Sequence, residues 1–277
     1  MDAYRGSTVL AEPAPLRHEA QAQAHVQPAL LELRGIAHNF RGLKVLEGVD
    51  LPVPRGGITG LIGPNGSGKT TCFNIASGFL CPAGGQVLLD GQEVTGHSPA
   101  RLSRAGLVRT FQTPQLFEHM TVLENVMVGL HAATRSGWFA GMLRLPAARR
   151  ELEDTRGRAA EVCERFGLSA LLQAQAGTLP AGRKRVVELA RAFAARPRLL
   201  LLDEPSSGLN TEEIEVLKGW IVRLHQQGMA ILLVSHDMGL MAVAQRVHAL
   251  YFGRIIASGS FEQVQADARV REAYLGV

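Results

Sequence analysis

The run Gly63-Pro64-Asn65-Gly66-Ser67-Gly68-Lys69-Thr70, followed by Thr71, holds the most specific chemistry in the chain. It fits G-x-x-x-x-G-K-[ST], a glycine-rich turn between a strand and a helix that wraps nucleotide phosphates. Glycines let backbone N–H groups converge on an anion, because no Cβ blocks the approach. The helix N-terminus that follows adds the positive end of its dipole. At this spacing Lys69 reaches toward β- and γ-phosphates, and the Thr70 hydroxyl takes one Mg²⁺ position. The pattern implies binding of a nucleoside triphosphate.

Further chemistry lies downstream. Leu199 to Leu202 reads as a strand buried on both faces, and Asp203 and Glu204 fall at its C-terminal end, where ligands sit in open α/β sheets. There Asp203 can hold Mg²⁺ through water, and Glu204 can act as general base on an attacking water. Met229 to Val234 is a second buried strand, leading into Ser235-His236, and at the same sheet edge His236 can meet a γ-phosphate. Gln112 can orient water or offer Mg²⁺ an amide oxygen. Leu179-Pro180-Ala181-Gly182-Arg183-Lys184-Arg185 opens an amphipathic helix whose buried stripe is Val186, Val187, Leu189, Ala190, Phe193 and Ala194. Gly182 can present its N–H to an anion, whereas Lys184 and Arg185 fit a solvated face as well as an anion contact.

The elements that must position these residues are strands alternating with helices. Ile58 to Ile62 reads as a short buried strand before the glycine-rich loop, and Thr70 to Ser77 as the opening of a helix. With 277 residues, 46% of them hydrophobic, the chain can bury a large core, yet no apolar run is long enough to span a bilayer. Cys72, Cys81 and Cys163 form no disulfide or metal pattern, which fits a reducing cytosol. The N-terminus lacks a charged start with an apolar h-region, so no secretory signal is expected. Residues 1–28, rich in Ala, Gln, Pro and His, read as a disordered tail. The net charge of +4 suits polyphosphate, nucleic acid or an anionic bilayer equally and decides nothing by itself.

Taken together, the motifs resemble the ATP-binding-cassette (ABC) ATPases, the nucleotide-binding subunits of ABC transporters. The resemblance runs from about Leu31 to Tyr274-Leu275-Gly276. It comprises the phosphate loop, Gln112, the signature loop at 179–183, the strand to Glu204, Ser206-Ser207-Gly208-Leu209-Asn210 and His236. Phe40 lies where the family places the aromatic that stacks on adenine. The resemblance implies an α/β fold: a parallel-sheet core, an antiparallel β subdomain, and a helical subdomain near 113–183, all within an ATPase domain over 29–277. It also implies a head-to-tail dimer with two ATP molecules at the interface, each facing the partner's Gly182. Closure on ATP would then shift a membrane partner between conformations.

The chain departs from the family's L-S-G-G-Q, with Pro180, Ala181 and Arg183 in place of the serine, first glycine and glutamine, and Asn210 stands where Asp is common. These changes bear on hydrolysis rate more than on ATP binding. They also look like the branched-chain amino-acid uptake group, as do Val108 to Gln112, Met120 to Asn125 and the Tyr-Leu-Gly terminus. So does the His131 to Arg150 segment, with Trp138, Phe139, Met142 and Leu143, and with Arg144, Arg149 and Arg150 placed toward headgroups or packed on its own helices. The implied partners are permease subunits, a second ATP-binding subunit (the same chain or a sister) and, indirectly, a substrate-binding protein. No nucleic acid is expected, and the implied location is the cytoplasmic face of the inner membrane. Urea or short-chain amide importers, lipopolysaccharide-type exporters and soluble cassette ATPases are the alternatives. Soluble cassettes usually carry paired domains or long coiled coils, and this chain has one motif set and no sustained heptads. In a P-loop kinase the signature loop and His236 would have no role.

Overall fold

The computed structural model describes residues 29–130 and 146–275. The expectations that fall on residues 1–28 and 131–145 lie outside them. Two sheets organise the described chain. β1 (Ala29–Phe40) and β2 (Leu43–Pro54) form an antiparallel hairpin. Its two-residue turn, Arg41-Gly42, has positive φ at both positions (49° and 92°), the primed geometry that matches strand twist. β4 (Gly84–Leu89) and β5 (Gln92–Glu93) complete a four-stranded sheet in the order β2-β1-β4-β5.

The second sheet is six-stranded. Its members are β3 (Ile58–Ile62), β6 (Leu107–Arg109), β7 (Leu199–Asp203), β8 (Ala230–Val234), β9 (Arg246–Tyr251) and β10 (Arg254–Gly259), in the order β10-β9-β3-β8-β7-β6. All neighbours are parallel except the edge pair β9–β10. The four leucines of β7 divide by strand period. Leu199 and Leu201 pack with the antiparallel sheet and α1 (Lys69–Ala76), and Leu200 and Leu202 pack on the opposite face among the other helices. Ala230 and Leu232 of β8 share the first face, Ile231 and Leu233 the second. Burial on both faces is why these strands read as unbroken apolar runs.

α2 (Pro99–Arg104) precedes β6, and the excursion between β6 and β7 is helical. It holds α3 (Val122–Leu130), α4 (Pro146–Arg165) and α5 (Ala181–Ala194), and its only β pairing among the described residues is an isolated bridge, Thr121 to Gln175. Val186, Val187, Leu189, Ala190 and Ala194 of α5 are buried as the periodicity predicts, whereas Phe193 is half-buried against Phe166. α6 (Thr211–Gln226), α7 (Met238–Met241), α8 (Phe261–Ala266) and α9 (Ala268–Leu275) complete the chain. Cys72 and Cys163 are buried, Cys81 is exposed, and all three are free thiols. Among the described residues no helix is long and apolar enough to cross a membrane.

A candidate nucleotide site at the carboxyl edge of the sheet

Strand order brings the motifs together. β3 runs into the glycine-rich loop, β7 into Asp203-Glu204, and β8 lies between them and runs into Ser235-His236. Neighbouring strands sit about 4.8 Å apart, so the three ends fall within roughly 10 Å. They border a cavity of about 890 Å³ whose walls include Gly63 to Gly66, Gly68 to Thr71, Phe40, Gln112, Glu204 and His236.

The loop itself is shaped by close packing. Gly68 caps α1 with φ 107°, and a Cβ there would sit 2.7 Å from Leu46 Cδ2 and 3.0 Å from the Val45 carbonyl. A Cβ on Gly63 would be driven into the Leu250 carbonyl. The loop is thus pressed against β2 and β9 on one side, which leaves its amides to the other. The Ser67 hydroxyl is buried and has no partner among the described residues, a feature that suits an anionic oxygen. Lys69 Nζ donates to the Gly63 carbonyl at 2.8 Å and the Pro64 carbonyl at 3.0 Å, arching over its own loop. Burial holds the Lys69 ammonium below its ordinary range, against the opposing pull of Glu204 and Asp203.

Glu204 adopts φ 45° at the strand end, a left-handed conformation that costs a non-glycine residue about 1 kcal/mol. Its amide donates to the Val234 carbonyl at 2.9 Å, and its carboxylate accepts the His236 N–H at 3.2 Å. His236 Nδ1 lies 2.8 Å from the same carboxylate oxygen. Below them a buried Ser206–Ser235 hydroxyl contact of 3.1 Å joins the ends of β7 and β8.

Asp203 is only 8% exposed and faces the Arg109 guanidinium at 2.6 Å. Arg109 also donates to Asn74 Oδ1 and Ser77 Oγ, both at 2.8 Å, and lies over the rings of Phe73, Phe79 and Phe111. Among the described residues no group of three or more His, Cys, Asp or Glu could hold a metal. Thr70, Gln112 and Asp203 nonetheless offer only hard oxygens, the donor type Mg²⁺ takes when nucleotide oxygens and water complete its shell.

Three features were not legible in the motifs. Arg185, for which a solvated face or an anion contact was expected, is neither: it is 1% exposed and paired with Glu188 at 2.5 Å. Its guanidinium donates to the Phe111 carbonyl at 2.8 Å and the Gln112 carbonyl at 2.6 Å, which ties α5 to the Gln112 segment. The second feature is Gly182, which stays off the cavity wall. Its amide donates to Glu213 Oε1 at 3.0 Å, and the other Glu213 oxygen accepts the Asn210 amide at 3.1 Å. Asn210 in turn caps α6, accepting the Glu213 N–H at 2.9 Å, a cap for which Asn serves as well as Asp. The third is Tyr274 of α9, which enters the cavity wall beside Gly63 and Glu204. Burial raises its phenol, the Gly63 amide opposes that, and the Glu204 carboxylate adds to it. A periodicity of apolar residues in α9 would not single out this tyrosine.

Two family models match the chain. One, described as ABC transporter, covers residues 46–207, and another, described as branched-chain amino acid ATP-binding cassette transporter, covers 254–277. The chain is 39% identical to the high-affinity branched-chain amino acid transport ATP-binding protein BraF of Pseudomonas aeruginosa. It is 40% identical to the corresponding LivG of Escherichia coli, each alignment covering 89% of this chain and 98% of the relative. Among solved structures it is similar to an ATP-binding cassette of an ABC transporter in its ADP conformation. That likeness has a TM-score of 0.79 and 31% identity, and covers 91% of this chain and 100% of the other.

Proposed function

We propose, from the premise that the chain belongs to the ABC transporter family, that it is the ATP-hydrolysing subunit of an importer for branched-chain amino acids. The observation that carries this reading is one cavity that gathers the phosphate loop, Gln112, Glu204 and His236. The specific substrate rests on similarity to BraF and LivG along nearly the whole chain and on the branched-chain model over the C-terminus. Residues 29–277 are taken as the cassette, with the helical excursion at about 113–183 as a subdomain.

In this reading the amides of residues 63–71 and Lys69 hold the phosphates, and Phe40, 48% exposed at the cavity rim, stacks on the base. Thr70, Gln112 and Asp203 hold Mg²⁺, which neutralises phosphate charge when bound. Arg109 keeps Asp203 aimed through its guanidinium contact with that carboxylate. Glu204 takes the proton of the attacking water, and His236, hydrogen-bonded to the same carboxylate, keeps it directed into the cavity. Gly182 acts in trans: its amide must leave Glu213 to meet a phosphate held by a second cassette. The chain would sit on the cytoplasmic face of the membrane with permease subunits, a sister or identical cassette, and a substrate-binding protein acting through them.

The test is to tag the full chain, solubilise membranes gently, identify what co-purifies and reconstitute it with its binding protein. Multi-spanning permeases, with ATP hydrolysis raised by leucine-loaded binding protein, are expected. Stimulation by urea or amides instead would overturn the substrate, and recovery only in the soluble fraction with ribosomes or DNA would overturn the importer.

A further inference from the structure

The opposite, amino edge of the same six-stranded sheet holds a second cavity, of about 500 Å³, between α4, the segment after α5 and the β2–β3 turn. Five arginines line it, and they come from separate parts of the chain: Arg55, Arg158, Arg165, Arg196 and Arg198. Arg55 and Arg198 share one carboxylate, Asp90, which is not itself on the wall. Among the described residues Arg158, Arg165 and Arg196 have no carboxylate partner, and Glu161 is the one acid on the wall. Counting Asp90 and Glu161 against the five guanidiniums leaves an excess of three positive charges. α4 and α5 also end here, and their negative dipole ends account for part of that attraction, worth less than a full charge each.

Arg196 is the most telling of the five. It follows the α5 C-cap residue, Ala195, with φ 52°, at the position where a helix ordinarily takes glycine. Arginine in that conformation costs stability that glycine would not, and the residue so placed lines the shared cavity. Guanidinium groups match phosphate oxygens with paired, planar hydrogen bonds. Several cations lining one cavity of this size suit a ligand with more than one anionic group. We propose that the cavity binds a small polyphosphate anion, one with two or more phosphoryl groups, held between Arg158 and Arg165 on α4 and Arg196 behind α5. Such a ligand ties α4 to the amino edge of the sheet, at the end remote from the nucleotide cavity. The site depends on none of the residues assigned to ATP.

The experiment is calorimetric titration of inorganic pyrophosphate, without Mg²⁺ and at low salt, into the full chain, Lys69→Ala, Arg158→Gln and Arg196→Gly. Lys69→Ala removes the phosphate-loop ammonium and is expected to retain pyrophosphate binding at the second cavity. Built on Lys69→Ala, Arg158→Gln and Arg196→Gly are each expected to weaken it at least about tenfold. Arg196→Gly should at the same time raise Tm by about 2 °C, because glycine relaxes the left-handed backbone, so lost binding there is not lost folding. No pyrophosphate heat in Lys69→Ala, or unchanged affinity in the arginine variants, overturns the proposal. Sedimentation with anionic phosphatidylglycerol vesicles through the same arginines, with no pyrophosphate binding, also overturns it and assigns the charge to a lipid surface. Failure of the nucleotide reading would appear separately, as ATP affinity indifferent to Lys69→Ala.

Discussion

The two edges of the six-stranded sheet use arginine in opposite ways. At the carboxyl edge Arg109 and Arg185 are buried, and each guanidinium is committed to an internal carboxylate, Asp203 or Glu188. Further donors go to Asn74, Ser77 and the carbonyls of Phe111 and Gln112, and only the two Nε groups have no partner among the described residues. Positive charge toward a phosphate is left there to Lys69 and the loop amides. At the amino edge the guanidiniums line a cavity, and three of them lack carboxylate partners among the described residues. A buried arginine is a strut, because an unpaired charge in the interior costs several kcal/mol. One at a cavity wall keeps its donors for a ligand. The difference separates residues that hold a site in place from residues able to bind.

Four variants and conditions sharpen that contrast. The largest effect is expected from Glu204→Gln: ATP binding should persist while steady-state turnover falls by about 10²-fold or more, as loss of a general base requires. Near-normal hydrolysis would remove Glu204 from its role. Next, Arg185→Met should destabilise the chain by about 4 kcal/mol in urea unfolding, because the buried Glu188 carboxyl loses the partner that offsets its desolvation. Arg185→Met with Glu188→Leu should recover most of that loss; equal damage in both variants would mean that the bonds to residues 111 and 112, rather than the ion pair, dominate.

His248 tests the core between the two edges. It is 2% exposed on β9 with Nδ1 2.7 Å from Ser258 Oγ, and burial, with Arg246 nearby, pulls its pKa down to about 4. The unfolded chain therefore binds a proton below its ordinary value near 6.5 that the folded chain refuses until about 4. Stability should be level above pH 6.5 and decline by about 3 kcal/mol as pH falls through that window. A pH series of melting curves should show this decline, and His248→Gln should flatten it. The smallest effect is expected from Glu213→Ala, which removes the acceptor for the Gly182 and Asn210 amides and should cost about 1 kcal/mol. That corresponds to a Tm lower by about 3 °C.

Much of the carboxyl edge was legible in the sequence. Ile58 to Ile62 and Leu199 to Asp203 are strands where apolar runs predicted them, and Lys69 opens a helix directly behind its glycine. Arg185 was not legible, because its neighbours in the chain are also basic and helical periodicity cannot tell which of three cations faces inward. Arg109 lay in a segment whose residue types resembled a family but whose target, Asp203, is far away in the chain. The arginine cavity was wholly hidden, since its wall is drawn from several separate segments.

The sequence by itself determined the phosphate loop, the strand that ends in Asp203-Glu204 and the alternation of buried strands with helices. Each is set by backbone freedom and side-chain period within a few neighbouring residues. Only the tertiary structure decided that β8 lies between β3 and β7, so that His236 meets Glu204. It alone decided that Arg185 turns inward, that Glu213 holds Gly182, and that Tyr274 returns to Gly63. Such pairings depend on sheet order and on which charges can be buried together, and neither is a property of any short stretch of chain.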